Sequence, residues 1–197
     1  MIIYKSFTIN WKNQMSTEIK PSLQELWQKY GTDKATLHFW YLLFYEEIMK
    51  PMRVDSLLEI GVYKWESMRM RRDYFPGAWI WGIDINPPLD IPGCDISQWD
   101  ASKMVFVKDI YDIIIDDGSH MMSEQKRTFT NLRWRVAPEW IYIIEDLHTS
   151  FWPKYIDETP TTYDRIREFA KKNNIRYLEF WKDEEKHISG TIVLFKK

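Results

Sequence analysis

Tyr111-Asp112-Ile113-Ile114-Ile115-Asp116-Asp117-Gly118-Ser119-His120 and Trp140-Ile141-Tyr142-Ile143-Ile144-Glu145-Asp146-Leu147-His148 carry the same pattern twice. In each, a short apolar run stops at two acids and a histidine follows close behind. Continuous apolar runs of this length, rich in β-branched residues, predict strands buried on both faces of a parallel sheet. Ligands of such sheets bind outside the carboxyl ends of the strands. Asp116, Asp117, Glu145 and Asp146, with His120 and His148, would then gather at one edge, a donor set suited to a hard cation and an acid/base residue. Plainer duties compete for each residue. Asp116 can cap the helix that follows it, Glu145 and Asp146 can be solvated strand ends, and His148 is better read as packing under the next loop.

Upstream, Ser56-Leu57-Leu58-Glu59-Ile60-Gly61 reads as a strand ending in glycine, 65–74 as a helix, and Trp79-Ile80-Trp81-Gly82-Ile83-Asp84 as a second strand. Asp84 falls 23 residues after Gly61, the position of the acid that hydrogen-bonds ribose hydroxyls in nucleotide-binding α/β folds. Asn86-Pro87-Pro88 is a turn, and Pro87, Pro88, Pro92 and Gly93 leave no room for a full helix. The third αβ unit is therefore shortened, with Asp95-Ile96-Ser97 expected as a loop at the sheet edge. Nearer the N-terminus, Leu23, Leu26, Trp27 and Tyr30 mark a helix that Gly31 stops. A second helix, Leu37 to Met49, is apolar nearly all round, with His38, Glu46 and Glu47 as its polar exceptions.

Downstream, 122–136 is expected as a helix with Met122, Phe129, Leu132 and Val136 inward and Pro138 ending it, followed by a strand from Trp140 to Asp146. Leu147 to Thr159 reads as a lid rich in Trp, Pro and Tyr. Tyr163, Ile166, Phe169 and Ala170 mark a last helix. Arg176 to Lys182 and Ile188 to Phe195 should pair as an antiparallel hairpin. Alternation of strands and helices predicts a doubly wound, mostly parallel, seven-stranded Rossmann-like sheet. Residues 1–53 form a helical lid or extension and 54–197 the main domain, in one compact unit.

The 197 residues carry a net charge of -2, which argues against nucleic acid as a partner. No apolar run reaches the roughly 20 residues of a membrane span, no signal-peptide h-region is evident, and the lone Cys94 fits a reducing compartment, so cytoplasm is expected. Eleven tryptophans suit core and lid packing or an aromatic-lined pocket, and leave room for a homo-oligomer.

Several segments together resemble one family. They are Tyr30-Gly31-Thr32-Asp33-Lys34 with His38 and Tyr45-Glu46, Leu58-Glu59-Ile60-Gly61-Val62, Ser67-Met68-Arg69-Met70 with Tyr74-Phe75-Pro76, Gly82-Ile83-Asp84-Ile85, Ile115-Asp116-Asp117-Gly118-Ser119-His120, and Ile144-Glu145-Asp146-Leu147-His148-Thr149-Ser150-Phe151-Trp152-Pro153. The set resembles the metal-dependent sugar O-methyltransferases of macrolide biosynthesis, the mycinamicin and macrocin type, and more loosely the cephalosporin hydroxylase-like group. The match runs from about residue 30 to 153, and the last two motifs are its specific part.

That resemblance implies a class I methyltransferase fold using S-adenosylmethionine (SAM). Glu59 and Gly61 would bind the cofactor, with Asp84 on the ribose and Asp95 near the adenine. A divalent cation, Mg²⁺ by expectation, would be held by Asp117 and Asp146, with Glu46 or Glu47 as a third ligand. His120 would be the general base, and the acceptor a hydroxyl of a sugar or glycosylated small molecule. The chemistry agrees on its own terms: a free hydroxyl is a poor nucleophile near neutral pH, a carboxylate-held cation lowers its pKa, and an imidazole can take the proton. In the loop Gly61 to Ser67, Trp65 and Glu66 stand where small residues would let the backbone approach the cofactor. The indole either narrows the pocket or packs outward. A filled pocket would favour the competing reading, a noncatalytic binding or assembly protein. A nicotinamide enzyme is disfavoured because no Gly-x-Gly-x-x-Gly follows the first strand.

Overall fold

The computed structural model describes residues 20–32, 39–87, 90–103, 109–183 and 188–195. The expected turn at Asp33-Lys34, His38 and the stretch at Met104 lie outside them. Two helices come first, α1 (Leu23–Tyr30) and α2 (Phe39–Met49). The alternating part follows as β1 (Ser56–Ile60), α3 (Glu66–Tyr74), β2 (Trp79–Asp84), β3 (Asp95–Gln98), β4 (Tyr111–Asp116), α4 (Met122–Leu132) and β5 (Val136–Ile144). Short 3₁₀ turns at Leu147–Phe151 and Pro153–Tyr155 lead to α5 (Thr162–Lys172), β6 (Arg176–Asp183) and β7 (Ile188–Phe195). The sheet order is β3-β2-β1-β4-β5-β7-β6. β3 through β5 run parallel, and β7 is antiparallel to both β5 and β6. The doubly wound sheet with its terminal hairpin is as the sequence predicts.

The apolar runs behave as buried strands must. Ile113, Ile114 and Ile115 are fully enclosed, as are Ile141 and Ile143. Alternate residues serve opposite layers, because successive strand side chains point to opposite faces. Leu57, Ile113, Ile115, Ile141 and Val193 pack against α1, α2 and α3. Leu58, Ile114, Tyr142, Ile144 and Ile192 pack against α4 and α5. α2 is apolar nearly all round because it is sunk in the first of these layers, where Tyr41, Phe44, Tyr45 and Ile48 are buried.

Three boundaries differ from expectation. The helix expected to reach residue 136 ends at Leu132, and Val136 already belongs to β5. Pro138 does not end a helix; it sits inside β5, in an irregular stretch. There Tyr111 pairs with Val136, but Ile113 pairs with Ile141, and Glu139 takes φ 67°. A proline is tolerated in such a bulge because no ladder N–H is demanded of it. Asp95-Ile96-Ser97 is not a loop but most of β3, with Trp81 beside Asp95 and Asp84 beside Gln98. Hydrogen bonding to β2 overrides weak local propensity there.

α1 is framed locally. Ser22 accepts from the Glu25 N–H at 3.1 Å and Glu25 returns the bond to the Ser22 N–H at 2.8 Å, a capping box. Gly31 closes the other end at φ 71°. α1 is then tied to α3 through Asp73, which meets Lys29 at 2.7 Å, the Tyr30 hydroxyl and Arg72. Burial pushes the Asp73 carboxyl up, but Lys29, Tyr30 and Arg72 together outweigh it and bring it down to about 2. A depressed carboxyl stabilises the fold above its unfolded pKa of about 3.9, and that contribution disappears as pH falls through 2. Asp73→Asn should therefore cost about 1 kcal/mol at pH 7 after discounting for solvent screening. The gap from the parent should close between pH 4 and pH 2, as read by urea unfolding.

Candidate functional site

Three parallel strands bring their carboxyl ends level. The Gly61 N–H donates to the Ile83 carbonyl, the Asp117 N–H to the Ile60 carbonyl, and the Glu145 N–H to the Asp116 carbonyl, each at 2.9 Å. Pairing thus continues one residue past each strand and sets Gly61, Asp117 and Glu145 side by side. Above them opens a cleft of about 790 Å³. Its charged lining is Asp84, Asp100, Asp117, Glu124, Glu145 and Asp146 against Lys64, with His120 among them. That imbalance suits a positively charged occupant, whether a metal ion or an organic cation.

On one side of the cleft the chain turns at Gly61, φ 83°. A Cβ there would lie 2.1 Å from the Asp117 carbonyl oxygen, so the turn passes directly over the end of β4. Asp84 locks the loop. One carboxylate oxygen accepts from the Val62 N–H at 2.7 Å and the Tyr63 N–H at 3.1 Å, and the other from the Asn86 N–H at 2.7 Å. Trp65 packs outward. It starts α3 at φ 79°, lies under the Arg69 guanidinium at 5.1 Å, and does not line the cleft. Tyr63 and Lys64 take that place.

On the other side are the acids and histidines. Asp117 and His120 line the cleft from the loop after β4, and Glu145 and Asp146 from the end of β5. His120 Nε2 stands 3.6 Å from Asp146 Oδ2, and its ring meets Tyr155 edge-on at 5.6 Å. Asp146 adopts φ 54°, a left-handed conformation that Asp takes more readily than most residues with a side chain. The Tyr41 hydroxyl donates to Asp146 Oδ1 at 3.2 Å, and the Tyr45 hydroxyl to Glu145. Burial first, then the acids, hold both phenols well above their usual pKa, so they remain neutral donors. His148 packs under the loop as expected: it is 7% exposed, accepts from the Gly190 N–H at 3.4 Å and meets Trp152 edge-on at 4.7 Å.

The remaining expected residues lie elsewhere. Glu59 is fully buried beneath the cleft, where it pairs with Arg71 at 2.9 Å; Arg71 also approaches Glu145 at 3.7 Å. Burial works against the Arg71 charge, but Glu59, Tyr45 and Glu145 more than restore it. Asp95 begins β3 and takes the Trp79 indole N–H. It stands three residues short of the carboxyl edge, roughly 10 Å at strand rise, so it does not line the cleft. Trp99, Asp100, Ala101 and Ser102 do. Glu46 accepts from the Leu23 N–H at 2.7 Å, Glu47 is exposed, and neither lines the cleft. Asp116 does not cap α4. It accepts from Tyr142 at 3.2 Å, and burial pushes it up to about 7 despite a bond from the Gly118 N–H.

The carboxylates fit a hard cation by chemistry. Among the described residues no three ligating side chains are already gathered at metal distance. Mg²⁺ commonly takes one or two protein carboxylates and completes its shell with water and substrate oxygens, so Asp117 and Asp146 suffice as a donor set, with Glu145 beside them.

No protein-family model matches the chain. Among curated proteins it is 34% identical over 153 residues to mycinamicin VI 2''-O-methyltransferase of Micromonospora griseorubida, covering 69% of this chain and 38% of that one. It is 32% identical over 165 residues to an 8-demethyl-8-α-L-rhamnosyl tetracenomycin-C 2'-O-methyltransferase of Streptomyces olivaceus, covering 72% and 43%. The chain thus spans about two fifths of the length of these relatives. Among solved structures, the MycE methyltransferase of the mycinamycin pathway, in complex with Mg, SAH and mycinamycin VI, superposes with a TM-score of 0.77 at 26% identity, over 90% of this chain and 55% of that one. This chain has the class I methyltransferase fold. It is a homologue of the macrolide-type sugar O-methyltransferases that its motifs resemble. The plantazolicin methyltransferase BpumL, at 10% identity and TM-score 0.55, shares the fold alone.

Within this methyltransferase fold, Tyr41, Lys64, Asp100 and Ser102 are among the cleft residues that reading the sequence for function does not single out. Asp100 follows a strand too short to recognise, and Tyr41 is hidden in an apolar helix. Glu145 lines the cleft, as its place at the end of an apolar run leads one to expect. The Gly61 turn gives a direct test. Gly61→Ala should lower stability by about 3 kcal/mol or more, combining backbone strain with the clash against Asp117. Gly77→Ala, at φ 91° with nothing within 4 Å, should show the strain alone, about 1 kcal/mol. Thermal unfolding of the two variants separates the terms.

Proposed function

We propose that this chain is a SAM- and Mg²⁺-dependent O-methyltransferase acting on a hydroxyl of a sugar or of a glycosylated small molecule. The observation that carries the reading is the meeting, in one acidic cleft, of the Gly61–Asp84 turn with Asp117, Asp146 and His120. The relatives' names are all O-methyltransferases, and one names a rhamnosyl-bearing acceptor, which supports the acceptor class.

Gly61 would let the cofactor approach the backbone, Asp84 would meet its ribose, and Trp99 to Ser102, which line the cleft where Asp95 does not, would wall the adenine. SAM, when bound, supplies a methyl group on a sulfonium. Mg²⁺, when bound, would be held by Asp117 and Asp146 with Glu145 beside them, and would lower the pKa of the acceptor hydroxyl and orient it. His120 Nε2 faces Asp146 at 3.6 Å, where the acceptor oxygen must arrive. With SAM bound, it would take up the hydroxyl proton released when the acceptor oxygen receives the methyl group. Asp146 offsets the charge gained by the imidazole, whose side chain is 37% exposed and can pass the proton to water. Residues 54–197 form the methyltransferase domain. The helical segment before them adds a cleft wall through Tyr41. The competing noncatalytic reading predicts no cofactor affinity and a cleft filled by Trp65; that Trp65 does not line the cleft supports the enzymatic reading.

Calorimetry with SAM, with and without Mg²⁺, is the first test, and no SAM binding at millimolar concentration would sink the proposal. Asp117→Ala and Asp146→Ala should lose metal-stimulated turnover and retain SAM affinity. His120→Ala should lower kcat by roughly 100-fold or more, measured with a glycosylated acceptor; turnover equal to the parent would remove His120 from the base role.

A further inference from the structure

We infer that Tyr41 and Tyr45 of α2 are positioning residues that orient the acid pair Glu145–Asp146 for a bound divalent cation. The inference rests on the metal-dependent reading above and adds two residues to it.

The geometry begins with spacing. Tyr41 and Tyr45 are four residues apart and share one face of α2. Successive residues of a strand point to opposite faces, which would send Glu145 and Asp146 apart. The chain leaves β5 after Ile144, and Asp146 takes φ 54°. Both carboxylates can then meet the same helix face, one phenol to each: Tyr45 donates to Glu145 Oε1 and Tyr41 to Asp146 Oδ1 at 3.2 Å.

The donors are themselves held rigidly. Tyr41 is 1% and Tyr45 0% exposed. Tyr41 packs on Phe180 at 5.9 Å, Phe44 stacks on Phe180 at 5.0 Å, and the Arg71 guanidinium lies over Tyr45 at 5.5 Å. An O–H bonded to Asp146 Oδ1 fixes the rotation of that carboxylate and turns Oδ2 toward His120. A phenol is neutral, so at Asp146 it orients an acid without neutralising the charge a cation needs; Glu145 also faces the Arg71 guanidinium at 3.7 Å, and Tyr45 orients it beside that fixed charge. Tyr41 itself lines the cleft. α2 thus supplies hydrogen-bond donors behind the acids, where the sequence suggested a third ligand from Glu46 or Glu47.

The experiment is titration of the full chain with MgCl₂ by calorimetry in the presence of S-adenosylhomocysteine. It compares the parent, Tyr41→Phe, Tyr45→Phe and a control, Tyr74→Phe, whose buried hydroxyl touches neither acid. Loss of an outer-shell partner typically weakens metal binding 10- to 100-fold. Tyr41→Phe and Tyr45→Phe should each raise the Mg²⁺ dissociation constant roughly tenfold, with turnover regained at saturating Mg²⁺ and the control unchanged. Parent-like Mg²⁺ affinity in both variants overturns the inference and leaves the function standing. An equal loss in the control overturns it as general loosening. No Mg²⁺ binding by the parent overturns both. If one variant melts far below the parent, the other carries the test.

Discussion

Everything at the cleft depends on neighbouring strands ending at one height. Ile60 pairs with Asp116 and Asp116 with Ile144, so β1, β4 and β5 are in step when their ladders stop. A slip of one residue would turn every side chain of a strand to the other layer, and the buried Tyr111 and Tyr142, both fitted to one layer, forbid it. The apolar core therefore fixes the register, and the register delivers Gly61, Asp117 and Glu145 to the same edge. The acids need no contact with each other to be placed together.

Beneath this edge runs a buried chain of charge. Arg71 lies between Glu59 and Glu145, with Tyr45 against its face and all of them enclosed. Burying ions costs several kcal/mol each before pairing offsets it, so such a group is weak evidence for stability. Its value is geometric. It joins α3, which begins at the end of the Gly61 turn, to the acidic end of β5, and couples the two walls of the cleft.

The sheet and most of its helices were legible because periodicity and β-branched runs report burial directly. What was not legible depended on partners far away in sequence. β3 is four residues long and is a strand only because β2 lies beside it; reading it as a loop misplaced Asp95 at the edge and hid Asp100. Pro138 looked like a helix stop because nothing local announces the bulge that accommodates it. Asp117, His120 and Asp146 were legible as a group because each follows the same abrupt end of an apolar run. Glu46 and Glu47 stood out only as polar residues on an apolar helix, and polarity does not say which way a side chain faces. Trp65 was conspicuous by size, but its left-handed backbone carries the indole away from the cleft.

Asp84 has a second consequence. With three backbone N–H groups on its carboxylate, it is the keystone of the Gly61–Tyr63 turn as well as a group facing the cleft. These bonds hold the turn in shape from within the chain, so a molecule binding there meets a finished surface and bears little ordering cost. Under the proposed function the same side chain would also meet the ribose, so no substitution at that position could report on recognition without disturbing the loop.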